Sequence, residues 1–316
     1  MRKIRTSTTV QPQATSRQFM IRPSGFGFNL ETEPTNTFQR STDFQGDILL
    51  QAREEFDRMA AHLMSSGVEI TAFEDSRGSA TPDAVFPNNW ISLHQSGKVV
   101  LYPMMAPNRR KERRQDIIES LSEHFHVEEI IDLSYFEKEG KYLEGTGSMV
   151  LDRRYKIAYA ALSPRTHPEP LQAFSKALGY EIVQFHASDQ NNLPIYHTNV
   201  MMCVGDSFAV VCLEALKNKD EKHNLRSILE ETEKFVIEIS QDQVTAFAGN
   251  MLQVRSSDGK KMIVMSTTAF ESLTEQQKAM LEEFTSRLVY VDIPVIEAVG
   301  GGSARCMLTE IHLPLK

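Results

Sequence analysis

The 316-residue chain has few cysteines and no long hydrophobic run. Its three cysteines, Cys203, Cys212 and Cys306, are an odd set without the spacing of a disulfide framework, which indicates a reducing compartment and predicts a cytoplasmic protein. No apolar run approaches the roughly 18 residues that a membrane span needs. The basic, hydroxyl-rich N-terminus lacks the apolar core of a secretory signal, and we expect residues 1–15 to be flexible.

A surplus of basic residues and a cluster of metal ligands are missing as well. The net charge is −8, with acidic and basic residues interleaved, which argues against a nucleic-acid partner. One basic run, residues 109–114, opens a helical pattern, and we interpret it as a solvated helix face. No cysteine–histidine cluster has zinc spacing, so the predicted site contains no metal.

What the sequence does contain is a repeated unit. Five short polar motifs recur at intervals of 52 to 58 residues, starting at Phe86, Glu144, His197, Gly249 and Cys306. After each of the first four, the pattern predicts a strand, a tight turn, a second strand, a helix and a further strand. The last helix follows a capping-box signature at Ser272 and Glu275.

A near-constant period of this length predicts a ring of five α/β repeats. The ring closes if residues 307–311 pair with the first strand at residues 19–21, which removes two exposed strand edges. We therefore predict a single α/β propeller domain over residues 16–316. The alternative is an α/β domain in which the spacing is a coincidence.

Ring closure would bring Cys306, His197 and Glu144 to one central pocket, although they are far apart in sequence. A thiol, an imidazole and a carboxylate are the groups that nucleophilic thiol catalysis requires. In this interpretation Cys306 is the nucleophile, His197 exchanges protons and Glu144 orients the imidazole. The alternative is that Cys306 is an inert small hydrophobe, which is how we interpret Cys203 and Cys212.

At these motifs the sequence resembles the pentein superfamily, the five-bladed α/β propellers that include arginine deiminases, dimethylargininases and amidinotransferases. The Glu-Gly-x-Gly segment at Glu144 and the Gly-Gly-x-x-x-Cys-Met ending at Cys306 carry the resemblance most specifically. It implies that Cys306 attacks a guanidino or ureido carbon without a cofactor, and that His197 and Glu144 are the catalytic histidine and its carboxylate. The implied partner is a small amino-acid substrate. Whether the protein forms a homo-oligomer stays open.

Two positions depart from the deiminase pattern, which has aspartates where this chain has Asn89 and Asn199. Aspartates bind a guanidinium through charge-assisted hydrogen bonds, whereas an uncharged amide both donates and accepts hydrogen bonds. The asparagines therefore favour a neutral ureido substrate, and the nearest group by resemblance is the citrulline utilization hydrolases, implied to convert citrulline to ornithine, carbon dioxide and ammonia. We include Asn88 among the substrate-binding candidates.

Other interpretations of these positions stay open. The asparagines could simply cap turns, in which case Asp83 or Asp189 could supply the missing carboxylate. Arg305, beside the nucleophile, could pair with a substrate carboxylate or be a surface charge. The alternative functions are an arginine deiminase, dihydrolase or amidinotransferase on a guanidino substrate, and a ligand-binding pentein with a degenerate site.

Overall fold

A computed structural model describes residues 11–40 and 46–316 of the chain. Its strands are β1 (Arg17–Arg22), β2 (Glu69–Glu74), β3 (Ile91–Leu93), β4 (Lys98–Leu101), β5 (Glu129–Asp132), β6 (Val150–Asp152), β7 (Ile157–Ala161), β8 (Glu181–Phe185), β9 (Met202–Val204), β10 (Phe208–Val211), β11 (Phe235–Glu238), β12 (Leu252–Arg255), β13 (Lys261–Ser266), β14 (Arg287–Val291) and β15 (Thr309–Glu310). Its α-helices are α1 (Ile48–Ser65), α2 (Pro107–Arg110), α3 (Gln115–His124), α4 (Gly145–Ser148), α5 (Pro168–Leu178), α6 (Thr198–Met201), α7 (Lys219–Glu231), α8 (Gln241–Thr245), α9 (Thr267–Ser272) and α10 (Glu275–Glu282).

In the described part of the chain, the strands form five three-stranded sheets of one design. In the last four sheets, a short first strand pairs antiparallel with the middle strand, and the middle strand pairs parallel with the third across a connection that contains a helix. The prediction of five α/β repeats is confirmed.

The first sheet joins the two ends of the described chain. Strand β1 lies in its middle, parallel to β2 and antiparallel to β15, with Gln18 opposite Glu310 and Phe19 opposite Thr309. This pairing is the closure expected from the sequence. Because β15 follows Cys306 directly, closure also fixes the end of the loop that carries the cysteine.

Side-chain hydrogen bonds and a left-handed glycine mark the ends of several helices. Asp47 caps α1 by accepting from the Leu50 amide, and Gly179 ends α5 in the left-handed conformation. The capping box of α10 consists of Thr274 and Gln277, not of Ser272 and Glu275 as the sequence predicts. Ser272 instead lies in the last turn of α9. Across the described residues, no helix combines the length and apolarity that a membrane crossing requires.

The expected flexible N-terminus, residues 1–15, lies only partly within the described residues. Gln13 and Ala14 are buried, and the Gln13 side chain donates to the carbonyls of Leu151 and Val204 at 2.8 and 3.0 Å. Its Oε1 accepts from the Arg153 amide at 2.7 Å. Gln13 thus ties two neighbouring sheets together, and residues 1–10 of the expected segment lie outside the described residues.

Candidate active site

Cys306 is carried by a buried loop at the end of the fifth repeat. A π-helical turn, Ile296–Gly300, leads into Gly301, whose φ of +65° suits a glycine, and a 3-10 turn, Ala304–Met307, carries the cysteine. A Cβ on Gly300 would lie 2.8 Å from the Phe86 ring, so the backbone must pass close to this side chain. Cys306 is 4% exposed at the end of this loop.

Glu144 and His197 form a buried pair. His197 Nε2 donates to Glu144 Oε2 at 2.8 Å, and Glu144 Oε1 accepts from the Met105 amide at 3.0 Å. Since Nε2 carries the hydrogen in this arrangement, Nδ1 is the basic nitrogen of the neutral ring. Gly147 makes room for the ring, because a Cβ there would lie 2.7 Å from His197 Nδ1.

Burial and neighbouring charges set the protonation states of this pair. Burial disfavours the charged form of Glu144, but Arg165 and His197 outweigh it and hold the pKa of the carboxyl below its usual range. Burial lowers the pKa of His197 to about 4, although Glu144 favours the charged ring. The resting pair at neutral pH is therefore a carboxylate and a neutral imidazole.

Two asparagines contact the sulfur of Cys306. Asn199 Nδ2 lies 3.5 Å and Asn250 Nδ2 lies 3.3 Å from Sγ. Asn199 belongs to the third motif, at the start of α6, and Asn250 to the fourth, just before β12. The sulfur thus faces amide N–H groups from two other repeats, as ring geometry requires.

A third asparagine, Asn89, has a fixed orientation. Its Oδ1 accepts from Arg109 Nη1 at 2.8 Å, and its Nδ2 is buried without a hydrogen-bond partner. Because arginine can only donate, the amide oxygen must face Arg109 and the NH₂ must remain free. A Cβ on Gly147 would lie 2.4 Å from Asn89 Nδ2 and 2.8 Å from His197 Cε1, so both side chains approach this glycine.

Cys306, His197 and Asn89 line a small cavity of about 10 Å³, whereas Glu144, Asn199 and Asn250 are not part of its lining. Its lining includes Asn36, Asp83, Phe86, Asn89, Arg109, Arg165, Tyr196, His197, the glycines 300–302 and Cys306. The segment of residues 29–40, which we call the strap, contributes Asn36 to this lining. Arg165 Nη2 donates to the Thr32 carbonyl at 2.8 Å, and Asn36 Nδ2 contacts the Gly300 carbonyl at 3.3 Å. The cavity has room for about one water molecule.

Three of the residues singled out in the sequence lie elsewhere. Asn88 donates to Thr146 Oγ1 at 3.3 Å and does not line the cavity. The Arg305 guanidinium donates to the Leu308 carbonyl and to Glu310, and lines a second cavity with Glu310. Neither a substrate contact in the Cys306 cavity nor a surface location therefore fits Arg305. Asp189 lines a separate pocket, whereas Asp83 lies in the Cys306 cavity.

Arg109 and Arg165 are residues of this cavity that the sequence does not single out. The prediction of a solvated face at residues 109–114 is wrong for Arg109, which is buried and bonds both oxygens of buried Glu112 at 3.0 and 2.9 Å. Arg165 stacks over the Tyr196 ring at 4.9 Å. No sequence signal identified either arginine. Asn250 did have a sequence signal, because it stands in the fourth repeat motif.

Fold and site define a pentein-fold hydrolase that acts on C–N bonds other than peptide bonds. The chain belongs to the N,N-dimethylarginine dimethylhydrolase family, because the family's eukaryotic model matches residues 22–313. Curated protein sequences give no match. In the part of the chain that the structure describes, no group of three or more His, Cys, Asp or Glu side chains could hold a metal ion.

Solved structures share the fold at low sequence identity. The N-terminal domain of ArgZ, a cyanobacterial arginine dihydrolase, in a cysteine-to-serine variant bound to substrate, is 17% identical, with a TM-score of 0.72 over 94% of this chain and 98% of that one. AgrE with ornithine and NAD+ is 16% identical, with a TM-score of 0.74 over 95% of this chain and only 40% of AgrE. An adduct of dimethylarginine dimethylaminohydrolase with S-methyl-L-thiocitrulline is 15% identical, with a TM-score of 0.65 over 96% and 100%.

Proposed function

We propose that this protein is a cysteine-dependent hydrolase that cleaves citrulline to ornithine, carbon dioxide and ammonia through a covalent adduct on Cys306. Residues 16–316 act as one catalytic domain. His197 is the general base and acid, and Glu144 holds its ring. The support is that a thiol and a neutral imidazole line one cavity and that a buried carboxylate holds the imidazole by a hydrogen bond.

The free Nδ2 of Asn89 is the observation that supports a ureido substrate over a guanidino substrate. Arg109 holds the amide oxygen, so the group that Asn89 offers to a ligand is a donor. A ureido carbonyl oxygen accepts a hydrogen bond from it, whereas a guanidinium has only donors and would leave both groups unsatisfied. An unmade buried hydrogen bond costs about 1–3 kcal/mol, which is enough to rank the two substrates.

The reaction follows from these positions. The Cys306 thiol transfers its proton to His197 Nδ1 as the sulfur attacks the ureido carbon. The C–N bond to the ornithine side chain breaks, and the protonated imidazole gives its proton to the departing amine. Water then attacks the S-carbamoyl adduct, which restores the thiol and releases carbamic acid, the source of carbon dioxide and ammonia. The balance is one citrulline and one water.

Arg165 is the group we assign to the substrate carboxylate. Its guanidinium lines the cavity, and planar guanidinium groups bind carboxylates in a bidentate manner, whereas Arg109 is already held by Glu112 and Asn89. In this structure the Thr32 carbonyl and the Thr35 hydroxyl of the strap accept hydrogen bonds from Arg165. A cavity of about 10 Å³ does not hold an amino acid, so the substrate enters when the strap moves away.

Asp83 favours a second candidate, a hydrolase of arginine or a methylated arginine. One oxygen of this buried carboxylate accepts from Asn29 at 2.7 Å, and the other has no partner. A guanidinium would supply both charge and donors to that oxygen. Two observations weaken this candidate: burial raises the pKa of Asp83, and Arg109 Nε already lies 3.7 Å from its carboxylate.

The deciding experiment incubates the purified protein separately with citrulline, arginine and asymmetric dimethylarginine. We expect ornithine and ammonia from citrulline and no product from the other two. Citrulline made from arginine, or dimethylamine released from dimethylarginine, would contradict the ureido assignment, and ornithine made from arginine would indicate a dihydrolase. The Cys306→Ala variant must lose whichever activity is found.

A further inference from the structure

We propose that Asn250, the polar residue of the fourth repeat motif, is a further catalytic residue, which stabilises the thiolate of Cys306 by donating a hydrogen bond from its amide. The inference rests on the proposed function in taking Cys306 as the nucleophile. It assigns a chemical role to the fourth motif, which has no part in the function proposed above.

The contacts of Asn250 define its position. Nδ2 lies 3.3 Å from Cys306 Sγ and 3.0 Å from the Asn199 carbonyl oxygen, and Oδ1 accepts from the Arg305 amide at 3.1 Å. The side chain is fully buried. Asn250 therefore joins three repeats: it stands in the fourth and contacts the third at Asn199 and the fifth at the cysteine turn.

These contacts also fix which end of the amide faces the sulfur. The Arg305 amide can only donate, so it requires Oδ1, and the Asn199 carbonyl can only accept, so it requires Nδ2. Exchanging the two ends would break both bonds. The hydrogen that Nδ2 does not use on Asn199 is left for Sγ, at a distance suited to a hydrogen bond with sulfur.

The reaction needs such a donor because His197 is neutral at rest. Burial lowers the pKa of His197 to about 4, so the imidazole is not charged beforehand, and negative charge develops on the sulfur as the proton leaves for His197. Donors fixed toward a developing charge stabilise it without reorganisation. Asn199 provides one N–H at 3.5 Å, and Asn250 provides the shorter contact.

Asn250 also matches the protonated form of the sulfur. In the resting thiol, the Cys306 S–H can donate to Asn250 Oδ1 at 3.7 Å. When the proton leaves for His197, the sulfur becomes an acceptor, and Nδ2 is already within reach. The same amide therefore serves both states of the nucleophile, which is what a group that acts during ionisation must do.

Two substitutions separate this role from simple support of the loop. Asn250→Leu removes all the polar contacts at similar size. Asn250→Asp keeps the acceptor for the Arg305 amide but removes the donor to Sγ and adds a negative charge beside it. The control is Thr309→Val in β15, where a buried hydroxyl without a partner is exchanged for a methyl group three residues from the nucleophile.

The readouts are thermal unfolding, the ultraviolet thiolate absorbance, the second-order rate of Cys306 alkylation by iodoacetamide, and kcat and KM for citrulline. Subtracting the Cys306→Ser signal removes Cys203 and Cys212. We expect Asn250→Leu to lower both alkylation and kcat about 10- to 100-fold, as loss of a hydrogen bond to a charged group does, and Asn250→Asp to lower them further, with KM little changed. Thr309→Val should match the wild type.

The outcomes separate this inference from the proposed function. Alkylation of Asn250→Asp at the wild-type rate would overturn the inference. The contact with the Arg305 amide would then be sufficient for Cys306 reactivity without an N–H donor to Sγ. Fast alkylation of the wild type without turnover of citrulline would refute the proposed function alone, because the alkylation arm needs no substrate. A wild-type Cys306 that iodoacetamide does not modify in the folded protein would overturn both.

Discussion

His197 Nε2 donates to Glu144 Oε2 across 2.8 Å, and both side chains are buried. The bond fixes the ring so that Nδ1 is the basic nitrogen. Replacing Glu144 with Gln removes the charge and lets the amide meet either ring nitrogen. We expect kcat for citrulline to fall by about 10²- to 10⁴-fold, the usual range for a lost general acid–base group.

The matched control for Glu144→Gln is Glu137→Gln, which removes a mostly buried carboxylate paired with Arg113 outside the cavity. Steady-state kinetics should show a normal kcat for this control. Thermal unfolding of both variants should confirm folded protein. Wild-type turnover by Glu144→Gln would mean that the His197 ring does not need the carboxylate, and would remove Glu144 from the catalytic set.

The pH dependence of activity should reflect the burial of His197. Its pKa is lowered from 6.5 to about 4, and the base must be unprotonated to accept the thiol proton. As the pH falls, kcat/KM for citrulline should therefore stay level through pH 6.5 and decline only near pH 4. Stopped assays across this range measure the acid limb of the pH profile of kcat/KM. Circular dichroism at each pH verifies that the protein is folded. An acid limb centred near 6.5 would indicate a solvated imidazole.

Much of the fold could be predicted from the sequence because each repeat is a local pattern that recurs. The spacing of the motifs also predicted that Glu144, His197 and Cys306 meet. In the structure Glu144 bonds His197, and His197 and Cys306 line one cavity, while their catalytic roles stay a prediction. The two cavity arginines could not be found this way. Arg109 stands in a run of charges typical of a solvated face, and only the folded ring reveals its buried partner Glu112.

Arg305 shows the opposite failure, in which nearness in sequence is misleading. It stands next to Cys306, but in a 3-10 turn consecutive side chains point in different directions. Its guanidinium reaches Glu310 in β15, while the cysteine faces Asn199 and Asn250. Such a division depends on the tertiary position of β15, which no local pattern specifies.

Gly147→Ala should inactivate the enzyme. A Cβ at this position would lie 2.4 Å from Asn89 Nδ2 and 2.7 Å from His197 Nδ1, closer than real Cβ contacts allow. Both side chains must shift, and a displacement of about 1 Å at a catalytic group can cost about 10²-fold in rate. Gly27→Ala is the control, because its Cβ would meet nothing within 4 Å. Equal citrulline turnover by the two variants would contradict the close approach of Asn89 and His197 to this glycine.

Asn89→Asp should move the substrate preference from ureido toward guanidino compounds. The change replaces the free Nδ2 donor with an acceptor while keeping an oxygen for Arg109 Nη1. A ureido carbonyl then loses its donor, and a guanidinium gains a charged acceptor. We expect the ratio of kcat/KM for citrulline to that for arginine to fall about 10- to 100-fold, the range for hydrogen bonds to charged groups. Competition assays that follow both substrates measure the ratio.

Asn218→Asp makes the same chemical change at the exposed N-cap of α7 and should leave the ratio unaltered. If Asn89→Asp also leaves it unaltered, the orientation of this amide does not determine the substrate, and Asp83 becomes the residue to test.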